Sequence, residues 1–213
     1  MLRVGLTGGI ASGKSVVGEM FVTLGAHLVQ ADRIAHSLMQ PGEAVYNEVV
    51  RNFGREILNS DGSINRARLA EAAFGSDGEG SRPSRIAELN RIVHPAVLRS
   101  QDEWMRAIGE QDAHAVAIVE AALILEVGGR NHFDRLIVVT CSEEQRVARF
   151  ATRQKLGSEA ARAEVQRRMA AQLPDEEKIK VADFVIDNSG SFHRTRDQVQ
   201  EVWNNLQAAA EKP

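Results

Sequence analysis

Leu2-Arg3-Val4-Gly5-Leu6-Thr7-Gly8-Gly9-Ile10-Ala11-Ser12-Gly13-Lys14-Ser15-Val16 is the stretch whose reading decides the fold. Residues 2–7 have the apolar, β-branched character of a short buried strand, and Lys14 opens a run to Leu24 that reads as a helix. Between them Gly8, Gly13, Lys14 and Ser15 keep the spacing of a phosphate-binding P-loop, in the strand–loop–helix context that such a loop requires. Glycines 8, 9 and 13 let the backbone curl so that successive N–H groups point inward, and the helix start adds its positive dipole end. Lys14 supplies an ammonium for the outer phosphates, and the Ser15 hydroxyl is the candidate ligand for a magnesium ion bridging them. The pattern predicts a chain that binds a nucleoside triphosphate together with Mg2+.

Outward from this loop, strands and helices alternate. Ala26-His27-Leu28-Val29-Gln30-Ala31 reads as a second strand. The continuous apolar runs Ala115–Ala121 and Leu136–Thr140 read as strands buried on both faces. Phe184-Val185-Ile186 makes a fifth, ahead of the turn Asp187-Asn188-Ser189-Gly190. Such alternation implies an α/β fold, a five-stranded parallel sheet flanked by helices. Residues 32–113 contain no clear buried strand and read as a helical insertion, with an exposed loop at 75–83. The expected organisation is one chain with a nucleotide-binding core (about 1–31, 114–145 and 182–213), a helical subdomain (about 32–113) and a lid (about 146–181).

Composition narrows the class of partner. With 213 residues and 43% hydrophobic content, the chain can build a sizeable core. A net charge of −3 offers no electrostatic case for nucleic acid or a membrane surface as partner. The first ten residues are too short and glycine-rich for a signal peptide, and no apolar run approaches membrane-spanning length. A cytoplasmic protein, monomeric or weakly oligomeric, is expected. Cys141 is the single cysteine, which excludes internal disulfides and cysteine metal clusters; at the end of an apolar strand it reads as a buried, inert thiol.

Two further features bear on chemistry. Asp32 stands just past the second strand, at the edge of an open parallel sheet where ligands bind. A carboxylate there suits proton abstraction from an attacking hydroxyl, or holding magnesium through water. It equally suits an N-cap for a helix over Ile34–Met39, and the two roles are compatible. Arg146, Arg149 and Arg153 fall on one face of the helix after the fourth strand. Singly, each fits a solvated helix face. As a cluster in an acidic chain with a P-loop, and with Arg162, Arg167, Arg168, Lys178 and Lys180 beyond it, they point to a phosphate-facing lid.

Taken in order, Thr7-Gly8-Gly9-Ile10, Gly13-Lys14-Ser15, Ala31-Asp32-Arg33-Ile34-Ala35-His36, His94-Pro95, Leu123-Ile124-Leu125-Glu126 and Ala182-Asp183-Phe184-Val185-Ile186-Asp187-Asn188-Ser189-Gly190 resemble the dephospho-coenzyme A kinase family, from about residue 3 to residue 192. The resemblance implies a P-loop kinase that uses ATP to phosphorylate the ribose 3′-hydroxyl of dephospho-coenzyme A, the last step of coenzyme A synthesis. It implies that Gly8, Gly9, Ile10, Ala11, Ser12, Gly13, Lys14, Ser15 and Val16 bind ATP, with Asn188 at its adenine end. Lys14 would act on the outer phosphates, Asp32 would be the general base and substrate contact, and Arg149 and Arg153 the lid arginines. Arg168 and Gln172 would match a further lid element, and Lys178 the basic residue before the last strand. The acceptor is expected between core and helical region, near Arg66, Leu69, Phe74, His94 and Leu123.

Leu69 and Phe74 fit plain core as well, and a His-Pro pair ending a helix at His94 is more often structural than catalytic. The chain departs from the family pattern at Gln30, where Asp is usual, with Glu120 as a compensating acid near the metal. It has Ala11 where glycine is usual, and an ordinary φ is expected there. Ala121-Ala122 stands where a proline turn is common, and residues 154–163 lengthen the lid. A GTP-driven switch would want an Asn-Lys-x-Asp element, and no Asn-Lys pair occurs. Another small-molecule or nucleoside monophosphate kinase would keep loop, base and lid, so the residues alone leave that alternative open.

Overall fold

In the computed structural model, which describes residues 1–75 and 83–211, the chain runs β1 (Leu2–Thr7), α1 (Lys14–Leu24), β2 (His27–Gln30), α2 (Ala31–Leu38), α3 (Ala44–Phe53), α4 (Arg66–Phe74), α5 (Ile86–Gln111), β3 (Val116–Glu120), β4 (Arg135–Thr140), α6 (Glu143–Gln154), α7 (Ser158–Ala170), α8 (Asp175–Lys180), β5 (Phe184–Asp187) and α9 (Phe192–Ala210). Most of the expected loop at 75–83 lies outside the described residues. The chain divides into two compact units, one of residues 1–30 and 105–213, the other of residues 31–104. Among the described residues no helix is long and apolar enough to cross a membrane.

The first unit is the sheet and its helices. All five strands are parallel, in the order β2-β3-β1-β4-β5. Their near-continuous apolar runs follow from this, because a parallel sheet carries helices on its faces and leaves few strand residues in water. β3 is buried at all five positions, and Leu136 to Val139 of β4 are fully buried. On one face α1 and α9 bring Val17, Phe21, Val199, Val202, Trp203 and Leu206 against Val4, Leu6, Ile118, Ile137, Val139 and Ile186. The connection after β1 leads to β2 on one side, whereas that after β4 leads to β5 on the other. Parallel strands with diverging connections leave a crevice beyond their carboxyl ends, where the loop between β1 and α1 sits.

The second unit is helical. Its core gathers Val45, Val49, Phe53, Ile57, Leu69, Ala73, Ile92, Val93, Ala96 and Val97. An antiparallel bridge outside the sheet pairs Leu58 with Ile64, closing a tight turn within this unit. Asn65 caps α4 by accepting from Ala67 N and Arg68 N. Two local expectations are corrected. Helix α2 begins at Ala31, so Asp32 lies inside the first turn rather than capping it, where its charge favours the positive helix end. His94-Pro95 does not end a helix: Pro95 lies within α5. The ring removes one helical hydrogen bond, yet Ile92, Val93, Ala96 and Val97 on both sides of it are buried, and that packing carries the helix through.

Candidate active site

The loop is built from its own backbone and braced from outside. Gly13, immediately before α1, has φ 93°, and a β-carbon there would overlap Asn188 Nδ2, so only glycine serves. Ser12 N donates to Gly9 O (3.3 Å), and Lys14 Nζ donates to Gly8 O (2.8 Å) and Gly9 O (3.2 Å). Ala11 is not in an ordinary conformation: its φ is +53°, correcting the sequence expectation. The left-handed turn costs an alanine roughly 1–2 kcal/mol. It is held because Ile10 and Ala11 pack on Val147, Phe150, Ala161 and Val165 of α6 and α7.

Two arginines of α6, Arg146 and Arg149, work on this loop from behind. Arg146 is 1% exposed; it forms an ion pair with Asp175, and its guanidinium donates to Cys141 O (3.0 Å) and Ile10 O (3.3 Å). Arg149 donates to Ser12 O (3.1 Å) and to Asn188 O (2.9 Å). Asn188 Nδ2 donates to the same Ser12 carbonyl at 2.8 Å. In a trans peptide the C=O of one residue and the N–H of the next point opposite ways. Pulling the Ile10 and Ser12 carbonyls outward therefore turns the Ala11 and Gly13 N–H groups to the concave side. Ser12 Oγ is buried, with no hydrogen-bond partner among the described residues. Inward amides and an orphan hydroxyl fit an anion with several oxygens, such as a polyphosphate.

Beside the loop, at the ends of β2 and β3, Ser15 Oγ donates to Glu120 Oε1 (2.7 Å) and Gln30 Nε2 to Glu120 Oε2 (2.9 Å). Gln30 and Glu120 are register partners on neighbouring strands, which is why the amide reaches the carboxylate. Among the described residues no group of three or more His, Cys, Asp or Glu side chains could hold a metal ion. Two oxygen donors from the protein suit a hard cation that takes its remaining ligands from phosphates and water.

The other expected site residues distribute as follows. Val16 is 50% exposed at the start of α1. Arg153 is exposed, its guanidinium 5.7 Å from the Phe150 ring. Arg168 stacks 5.3 Å over the same ring and pairs with Glu164, while Lys178 is fully buried with Glu126 Oε1 3.0 Å from its Nζ. Glu126 Oε1 also accepts from Leu173 N, and Gln172 Oε1 is buried without a partner among the described residues. Leu123, past β3, is 43% exposed. In the helical unit Asp32 and Arg66 are exposed, Leu69 belongs to the core, and Phe74 is 66% exposed. His94 is half-buried, and burial pushes its pKa down. Burial likewise pushes the Cys141 thiol up. Asp175, Thr195 and Gln198 went unnoticed in the sequence. Gln198 grips the Asp187 backbone, accepting from its N–H (2.9 Å) and donating to its carbonyl (2.9 Å), and a polar residue nearly two turns into a helix carries no signal that it braces the preceding turn.

Comparison with known proteins places this geometry. The sequence profile of the family described as Dephospho-CoA kinase matches residues 2–194. A dephospho-CoA kinase from Syntrophotalea carbinolica is 41% identical over 206 residues, covering 97% of this chain and 92% of that protein. The structure of dephospho-CoA kinase from Campylobacter jejuni superposes with a TM-score of 0.67 at 26% identity, over 97% of this chain and 98% of that one. Shikimate kinase from Acinetobacter baumannii, at 14% identity and TM-score 0.50 over 100% of this chain and 96% of that one, shares the fold. From the phosphate loop near its start to the brace at the head of α9, the chain belongs to the dephospho-CoA kinase family.

Proposed function

We propose that this protein transfers the γ-phosphoryl group of ATP to the ribose 3′-hydroxyl of dephospho-coenzyme A, giving coenzyme A and ADP. The observation that carries the reading is the phosphate loop, whose Ile10 and Ser12 carbonyls are bonded from outside by Arg146, Arg149 and Asn188. Phosphoryl transfer asks little covalent chemistry of the protein and much positioning and charge stabilisation, which a pre-shaped cradle of amides supplies. In this reading residues 8–16 hold the triphosphate and Asn188 marks its adenine end. Lys14, now bonded to the Gly8 and Gly9 carbonyls, serves the β- and γ-phosphates. Ser15 and Glu120 would hold magnesium, whose charge offsets that of the phosphates when bound.

Asp32 takes the proton of the acceptor hydroxyl. Support comes from its place in the chain, two residues beyond Gln30, whose amide bonds Glu120 at the carboxyl edge of the sheet. Arg149 stays with the loop and Arg153 meets the transferring group, on a lid formed by α6, α7 and α8 that excludes competing water. Arg66, Phe74, His94 and Leu123 contact the acceptor; Leu69 contributes by supporting α4 from the core.

The test is ATP-dependent formation of coenzyme A from dephospho-coenzyme A, with shikimate, gluconate and AMP as competing acceptors. Asp32→Asn should lower kcat about a hundredfold or more while leaving ATP affinity nearly unchanged. Near-normal turnover in that variant rejects the base, and preference for another acceptor rejects the substrate.

A further inference from the structure

Thr195 is fully buried in the first turns of α9, away from the loop. A helical threonine ordinarily returns its hydroxyl to the carbonyl four residues back. Here that bond, to Ser191 O, is the longer one at 3.4 Å, and the hydroxyl donates instead to Asn188 Oδ1 at 3.0 Å. Asn188 is only 8% exposed, and its backbone N–H is fixed by Thr140 O of β4 (2.9 Å). The remaining freedom of Asn188 is in its side chain, whose amide oxygen and nitrogen are interchangeable in shape but opposite in hydrogen-bond sense. Ser12 O accepts only, so it needs the nitrogen; the oxygen must then find a donor in a buried place, and Thr195 is that donor.

We propose that Thr195 is a positioning residue for the phosphate loop, acting through Asn188. Its hydroxyl holds the amide so that Nδ2 reaches Ser12 O, and the Ser12–Gly13 peptide is thereby kept with the Gly13 N–H on the concave side. The hydroxyl itself bonds Asn188 and Ser191 rather than a loop residue. Valine has the same shape and would satisfy the packing of α9 equally well, so the inference assigns a task to the oxygen alone. It rests on the reading that residues 8–16 bind ATP.

The experiment compares Thr195→Val, Thr195→Ser and Thr195→Ala with the unaltered protein by calorimetric titration of ADP, by steady-state kinetics and by urea unfolding. Thr195→Val should bind ADP and ATP about tenfold more weakly, with KM for dephospho-coenzyme A unchanged. Thr195→Ser should recover affinity to within about twofold. Thr195→Ala, which cannot overpack, should reproduce the loss seen with valine. Unchanged nucleotide affinity in both the valine and alanine variants overturns the inference, whatever happens to stability. So does a serine variant as weak as valine, because packing and not the hydroxyl would then be responsible. Failure of the unaltered protein to bind ADP would instead overturn the underlying reading of the loop, and this inference with it.

Discussion

Gly9→Ala places a methyl group where the fold has committed Arg146. The added β-carbon would overlap Nη1 of Arg146 and stand 3.1 Å from its Cζ and 3.2 Å from Asp175 Oδ1. Relief requires the guanidinium to retreat by about 1 Å or more, since non-bonded heavy atoms settle at roughly 3.5–4 Å. Arg146 has nowhere to go. It is 1% exposed, and movement surrenders its contacts with Cys141 O, Ile10 O and Asp175. Breaking a buried, hydrogen-bonded charge pair costs about 3–5 kcal/mol, so a loss near 3 kcal/mol is expected after partial relaxation. With an m-value of ~2 kcal/mol/M, the urea midpoint should fall by about 1.5 M. ADP affinity should fall with it, because the Ile10 carbonyl loses its outside support. The decisive comparison is a double-mutant cycle with Arg146→Ala. Once the guanidinium is gone, adding the methyl at position 9 should cost less than about 0.5 kcal/mol, so the two changes are strongly non-additive. If Gly9→Ala alone is harmless, or the two costs simply add, the account of the loop as braced by Arg146 is wrong.

Two further outcomes follow from charges away from the loop. Lys178→Met should destabilise the protein by about 3 kcal/mol in urea unfolding, because it strands Glu126 beside Leu173 N with no cation. Adding Glu126→Gln should restore most of that loss, and a double variant no better than the single one would show that charge pairing is not the cause. The Glu164 carboxyl on α7, hydrogen-bonded by Arg167 and then Arg168, is held at about 2, below its ordinary 4.5. A depressed carboxylate contributes stability above its unfolded pKa and loses it as pH falls through the folded value. Glu164→Gln should therefore lower stability modestly at pH 7, flatten the acid loss between pH 4.5 and 2, and leave the two proteins equally stable near pH 2. An unchanged acid limb would mean that the exposed arginines do not hold the carboxylate in solution.

Much of this molecule is written locally. The strands at residues 2–7 and 136–140 were recognisable because parallel strands covered by helices on their faces need unbroken apolar runs. Asn188 could be tied to the nucleotide through resemblance, but not to Ser12, which is 176 positions away along the chain. The arginines of α6 show the limit most clearly. Their i, i+3, i+7 spacing gives one face, yet Arg146 is buried on Asp175 while Arg153 is exposed. Spacing along a helix sets which residues share a side, and only the packing partner decides whether that side meets water, a carboxylate or a loop.

Ala11 makes the same division within the loop itself. The sequence determined that residues 8–15 form a phosphate loop between strand and helix, because glycine positions, the lysine and the hydroxyl are set by covalent spacing alone. The left-handed turn at Ala11, the outward carbonyls of Ile10 and Ser12, and the Thr195–Asn188 contact that holds one of them were decided by tertiary structure. They depend on β1, β4 and β5 lying side by side, which brings the loop, the start of α6 and the start of α9 to one edge of the sheet.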